Sequence, residues 1–463
     1  MNRTASILLY VRPWNKTQMQ HLACGIFGAG ATLHQTSEHA SIDKSGLSAA
    51  LTAIFGKIKP DASFRHLSAP ETTDITLRCR LLRSFDPATA RRLLLAAEQA
   101  ISDVLDKARP DAMLSLTIDS YIMDVFATLC AQRGIRFIGI VPSFVKEHFR
   151  VTTRGEYVPC RTVSEAEIDK ALANLTNQDY RPDFLVQSEH EMRRQMWRLW
   201  LRNFPKPLWF ALKRMNPSER LNYHYWASQV VAQRYWSPWP QSLDGLSGPA
   251  LARLQGEGGP PLVYLPLQMS PEATIDYWSH DTRWIAYEEF VLSLIRQYRK
   301  TRRFVVKEHP NLLGFRSRGF YKRLAKEPNC VIASPKVASN DLVELCDGVV
   351  VCTGSAGFEA ALRGKPVYSD SNPYYLPLGA LRPLAALQDD LPKAAITPEQ
   401  QRAMVAFMLG GTLPGRFLNN GRWSVESEEH RVWSARMAQS IRSILDRDHA
   451  ATADTPFSRM SSQ

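Results

Sequence analysis

Short apolar runs at Ile7–Val11, Ala112–Leu116 and Phe137–Val141 read as buried strands. Between them, Leu47–Lys57, Pro87–Lys107 and Tyr121–Arg133 read as helices. Asp86 and Pro87 supply an N-cap and a first-turn proline for the second helix, and Gly134 ends the third. Strands alternating with helices predict a parallel sheet with right-handed crossovers.

The alternation stops after about residue 150 and resumes at 262. There Leu262–Leu267, Phe304–Lys307, Cys330–Ala333, Gly348–Val351 and Pro366–Ser369 are predicted strands. Tyr287–Lys300, Phe320–Glu327, Ser339–Cys346 and Ala356–Arg363 are the predicted helices between them. The pattern therefore predicts an α/β protein with two Rossmann-like domains. The first spans 1–150 and the second 256–395. A helical segment rich in Trp and Arg, 151–255, separates them, and the Gly-Pro stretch 256–261 marks entry to the second domain. C-terminal helices are predicted over 396–449 and a disordered tail over 450–463.

At 463 residues with 44% hydrophobic content, the chain can bury two cores and is not a disordered protein. No run of 18 apolar residues predicts a membrane span, and the N-terminal apolar run is a first strand, too short for a signal peptide. Seven cysteines, an odd number with no C-x-x-C pair, argue against a disulfide framework or metal finger and suit a reducing cytoplasm. The net charge of +12 points to anionic partners. Half of that excess lies in residues 191–220, which hold eight basic and two acidic side chains. Trp197, Trp200 and Trp209 sit in the same segment. It reads either as a surface for an anionic membrane or as core tryptophans with a solvated arginine face.

Ligands of open parallel sheets bind beyond the C-terminal strand ends. After the strand at 348, Thr353-Gly354-Ser355 turns into a helix, an arrangement of hydroxyls and free N–H groups that suits a phosphate or is simply a capped helix. After the strand at 304, Pro310 leaves His309 extended at the sheet edge, either as a phosphate donor or acid or as a structural loop histidine. Glu272 follows the strand at 262, with Pro271 placed to open a helix, so it is a cleft carboxylate or a cap. Asp119 follows the strand at 112 with the same two readings.

Gly25-x-x-Gly28-x-Gly30 lacks the dinucleotide-binding spacing, and no P-loop, H-E-x-x-H or D-x-D signature occurs. No metal ligand is therefore assigned. Lys146-Glu-His148-Phe echoes Lys307-Glu-His309-Pro by coincidence.

Three segments converge on one family. Tyr264-Leu-Pro-Leu-Gln268-Met-Ser-Pro271-Glu272-Ala-Thr resembles the P-L-Q-x-x-P-E-A-T segment of bacterial capsule polysaccharide biosynthesis proteins. Val306-Lys307-Glu308-His309-Pro310 resembles their K-E-H-P segment, and Thr353-Gly354-Ser355 through Val367 resembles T-G-S-x-G-x-E-A-x-x-x-G-K-P-V. Ile275 departs from a threonine common in members.

The resemblance implies a GT-B-type, Kdo-transferase-like glycosyltransferase. It would move a sugar, Kdo from CMP-Kdo, to a lipid-linked or glycan acceptor without a metal or other cofactor. It implies that His309 and Pro310 lie at the nucleotide, that Thr353 and Ser355 hold its phosphate, and that Glu359 sits a turn behind. Gln268, Lys307 and Gly354 complete the nucleotide-sugar set, and strand-end placement gives Glu272 and Asp119 as the candidate catalytic carboxylates. Such an enzyme is expected in the cytoplasm, peripheral on the inner membrane. Alternatives are a UDP- or GDP-sugar transferase and a non-catalytic scaffold of capsule assembly. A nucleic-acid partner is not expected, because the basic Trp-rich segment comes with no nucleic-acid fold signature.

Overall fold

The computed structural model describes residues 4–177, 180, 192–256, 258–389, 396–417 and 427–454. It contains two six-stranded sheets. The first is built from β1 (Ser6–Tyr10), β2 (Thr32–Thr36), β3 (Ala112–Leu116), β4 (Arg136–Pro142) and β5 (His148–Val151). The second contains β6 (Leu262–Pro266), β7 (Arg303–Lys307), β8 (Cys330–Ala333), β9 (Gly348–Val350), β10 (Val367–Tyr368) and β11 (Leu381–Arg382). A last strand, β12 (Leu413–Pro414), returns to the first sheet. The spatial orders are β12-β5-β4-β3-β1-β2 and β11-β10-β9-β6-β7-β8. All neighbours are parallel except β4–β5 and β5–β12.

Both central strands, β3 and β6, are almost wholly buried, as continuous apolar runs covered on two faces must be. The helix Pro87–Ala108 starts where Asp86 accepts from the Thr89 N–H, and its buried stripe runs from Ala90 to Leu105. This is the plan of two Rossmann-like α/β domains that the strand–helix alternation predicts.

Several features differ from the sequence expectation. The helix Glu428–Asp454 runs past residue 450, because Ala450, Ala451 and Ala453 continue it at little entropic cost; residues 455–463 lie outside the described residues. Within 396–449, the helix Pro398–Gly410 is followed by β12 rather than by more helix. The helix Glu428–Asp454 packs on the helix Lys16–Phe27. A Cβ at Gly25 would meet the Ala438 Cβ at 2.8 Å, so glycine there serves helix contact, not nucleotide binding.

The two sheets meet through charged pins. Asp276, 1% exposed, is ion-paired with Arg80 at 2.8 Å and accepts from Arg83 at 3.0 Å. Arg78 donates to the carbonyls of Asp276 and Ser279. These contacts hold the one-turn helix Ala273–Asp276 against the first domain.

Candidate active site

The C-terminal end of β6 begins the site. Gln268 is buried, and its amide closes a two-point contact with Thr353: Gln268 Nε2 donates to Thr353 Oγ1 at 3.3 Å, and the Thr353 N–H donates to Gln268 Oε1 at 3.1 Å. Thr353 Oγ1 donates to the Thr274 carbonyl at 3.0 Å, and Thr274 Oγ1 donates to Glu272 Oε2 at 2.9 Å. One network thus links the strand ends of β6 and β9 to Glu272. A side chain at Gly354 would press on Gln268, with a Cβ 3.1 Å from its Nε2.

The β7 end is held differently. Glu308 accepts from Arg316 Nε at 2.7 Å and Nη2 at 2.9 Å, from the Tyr321 hydroxyl, and from the His309 N–H at 2.7 Å. Arg316 also donates to the Gln268 carbonyl at 2.7 Å. Glu308 is therefore the buried pin of this segment. His309 Nδ1 accepts from the Asn311 N–H at 3.1 Å, which leaves the neutral ring's proton on Nε2. Burial holds the His309 pKa down to about 4, so near neutrality it is an uncharged donor. Pro310 opens the short turn Pro310–Leu312. Lys307 Nζ donates to Ser339 Oγ at 3.1 Å. Ser355 precedes the helix Ala356–Leu362 without a side-chain cap bond, and the Glu359 N–H donates to the Ser355 carbonyl.

Asp119 and Glu272, from different sheets, line one cavity of about 490 Å³. Arg12, Arg80, Lys206, Tyr223 and His224 line it too. Both Asp119 oxygens receive the Arg12 guanidinium, at 2.6 and 2.5 Å. Asp119 is not the helix cap, since Ser120 accepts from the Met123 N–H. Glu272 occupies the N-cap position of Ala273–Asp276 without a side-chain cap bond. Burial raises its pKa, opposed by the Thr274 hydroxyl and Arg80. Lys307, His309 and Ser355 do not line this cavity among the described residues.

Arg12 lies two residues past the end of β1, where the strand-end rule also places a cleft side chain. Arg80 comes from the turn after the helix Ala69–Arg78, and Lys206 and His224 come from helices, so their arrival depends on tertiary packing.

The family model described as capsule polysaccharide biosynthesis protein matches residues 240–405. The matched segment contains Glu272 and the whole predicted nucleotide-sugar set, while Asp119 lies outside it. No curated protein matches the chain. Among solved structures, the chain is similar to KpsC, beta Kdo 2,7 transferase, of Thermosulfurimonas dismutans, at 15% identity over 93% of this chain and 98% of that one, with a TM-score of 0.36. The beta Kdo 2,4 transferase of the same KpsC matches at 14% identity over 64% and 79%, with a TM-score of 0.32. The UDP-GlcNAc 2-epimerase of Methanocaldococcus jannaschii matches at 12% identity over 97% and 100%, with a TM-score of 0.25.

Beside the cavity, His39 is 1% exposed and has no hydrogen-bond partner on either ring nitrogen among the described residues. Its ring centroid lies 5.4 Å from that of His224. Burial, then Arg12, holds the His39 pKa down to about 3. The unfolded chain takes up this proton near the ordinary histidine pKa of about 6.5, and the folded chain only near 3. Stability contributed this way is full above that ordinary value and is lost as the pH falls between the two. In urea titrations from pH 4 to 7, His39→Leu is expected to flatten the acid slope by up to about 1.4 kcal/mol per pH unit. Parallel slopes for variant and wild type would refute this.

Proposed function

We propose that the protein is a glycosyltransferase of capsular or surface polysaccharide biosynthesis. It transfers a sugar from a nucleotide donor to a lipid-linked or glycan acceptor at the cytoplasmic face of the inner membrane. The motif resemblance favours CMP-Kdo as the donor. One observation carries the reading: two carboxylates from opposite sheets share a cavity with Arg12, Arg80 and Lys206.

Glycosyl transfer passes through a cation-like sugar, which nearby carboxylates stabilise. Glu272, with its raised pKa, is suited to exchange a proton with the acceptor hydroxyl or leaving oxygen. Asp119, clamped by Arg12, supplies fixed negative charge. Arg80 and Lys206 supply charge for an acidic sugar or the departing phosphate. His309, Lys307 and the Thr353-Gly354-Ser355 turn, with Gln268, Pro310 and Glu359 around them, form the proposed nucleotide side. The leaving group is met by side-chain and backbone donors, so turnover is expected to survive EDTA.

The test is nucleotide release by purified protein with a lipid-linked acceptor, in EDTA, with CMP-Kdo, UDP-sugars and GDP-sugars in parallel. Release from CMP-Kdo alone supports the full reading. Turnover with only UDP- or GDP-sugars keeps the transferase and replaces the donor. No turnover with any donor, with every nucleotide failing to raise the melting temperature, points to a scaffold.

A further inference from the structure

Residues 192–220 of the basic Trp-rich segment are described, and they form a surface that the cavity chemistry does not use. The helices Met192–Asn203 and Lys206–Arg214 follow one another across Phe204-Pro205. Leu201 on the first helix, Phe204 in the joint, Leu208 and Leu212 one turn apart on the second, and Met215 just past it are 69, 51, 67, 56 and 75% exposed. Trp197, Trp209 and Trp236 are about half exposed beside them. Single exposed leucines are ordinary, whereas a helical stripe of large apolar side chains is a binding surface. Arg194, Arg198, Arg202 and Lys213 are exposed on the same two helices. The one described acidic residue of the segment, Glu219, is buried. No described helix is long and apolar enough to cross a membrane.

We propose that this surface docks the protein on an anionic lipid bilayer. Leu208, Trp209, Leu212 and Met215 enter the headgroup boundary, and the arginines and Lys213 pair with lipid phosphates. Apolar side chains interleaved with cations are the composition of helices that lie in a membrane interface. A second copy of the chain fits poorly, because it would bring the same cations face to face. The helix Lys206–Arg214 has two duties: its outer face carries Leu208 and Leu212, while Lys206 and Phe210 line the carboxylate cavity. Docking therefore sets the cavity beside the lipid surface. That consequence, unlike the docking itself, rests on the proposed glycosyl transfer.

Vesicle co-sedimentation tests the docking without any turnover. Wild type is expected to bind phosphatidylglycerol vesicles in low salt, to release in high salt and to ignore phosphatidylcholine vesicles. Changing Arg193, Arg194, Arg198 and Arg202 together to Gln is expected to weaken binding by roughly 100-fold or more. A separate variant, Leu208→Ser with Leu212→Ser, is expected to weaken it by roughly tenfold. Unchanged melting temperatures show that both variants fold. Equal vesicle binding by wild type and the four-arginine variant overturns the proposal. So does a wild-type dimer that the serine variant converts to monomer while vesicle binding stays the same. If docking holds but nucleotide release is absent with every donor, the catalytic reading fails and the surface stands.

Discussion

A Glu272→Gln variant is expected to lose about 10²–10⁴-fold in kcat with its fold intact, the range associated with one positioned proton-transfer group. Glutamine keeps an oxygen for the Thr274 hydroxyl, which donates to Glu272 Oε2, so the link to Thr353 survives. What it removes is a carboxyl whose pKa burial has raised above the ordinary glutamate value. In wild type, kcat should titrate with an apparent pKa above the ordinary glutamate range, and that limb should vanish in the variant. The measurement is nucleotide release across pH, with the melting temperature as a check on folding. Wild-type kcat in Glu272→Gln would remove this carboxyl from the mechanism. Asp119→Asn breaks one arm of the clamp with Arg12 and is expected to lower turnover as well, with the larger risk of disturbing the buried guanidinium.

Arg316→Met is expected to destabilise the protein by about 3–5 kcal/mol, because it leaves a buried carboxylate without its partner. Glu308 and Arg316 are each 2% exposed, and the guanidinium spans from Glu308 to the Gln268 carbonyl. Removing it unpins the ends of β7 and β6 together. Urea unfolding reads the loss. The double variant Glu308→Leu with Arg316→Leu should lose less than the two single changes added, since no buried charge is left alone. A loss below about 1 kcal/mol in Arg316→Met would show that the pair is not needed for stability.

Elements with continuous apolar runs were legible in the sequence. β1, β3 and β6 through β9 fall where their hydrophobic residues lie, and the helix Leu47–Lys57 has the bounds its spacing gives. β2 was not legible: Thr-Leu-His-Gln-Thr is an edge strand with little apolar pattern. β5 and β12 are short and antiparallel, and their pairing depends on a chain return that no local window contains. At the echo Lys146-Glu-His148, Glu147 lies at φ 59° in the turn before β5, and the segment plays no part in the cavity. The strand-end rule selected both carboxylates of the shared cavity. It did not select Arg80 or His224, which reach the cavity from outside the sheets. The K-E-H-P segment was legible as a pattern, but only the buried contacts show Glu308 to be its structural member.

The return of the chain to its first sheet bears on the order in which the protein is made. β12 lies against β5, and Arg442 donates to the carbonyls of Gly25 and Ile26. The first sheet therefore acquires its edge strand and covering helix only after residues beyond 410 have left the ribosome. Until then β5 presents an open edge to neighbouring nascent chains, a hazard for strand pairing between molecules. The second sheet, complete by residue 382, can close while the first still waits.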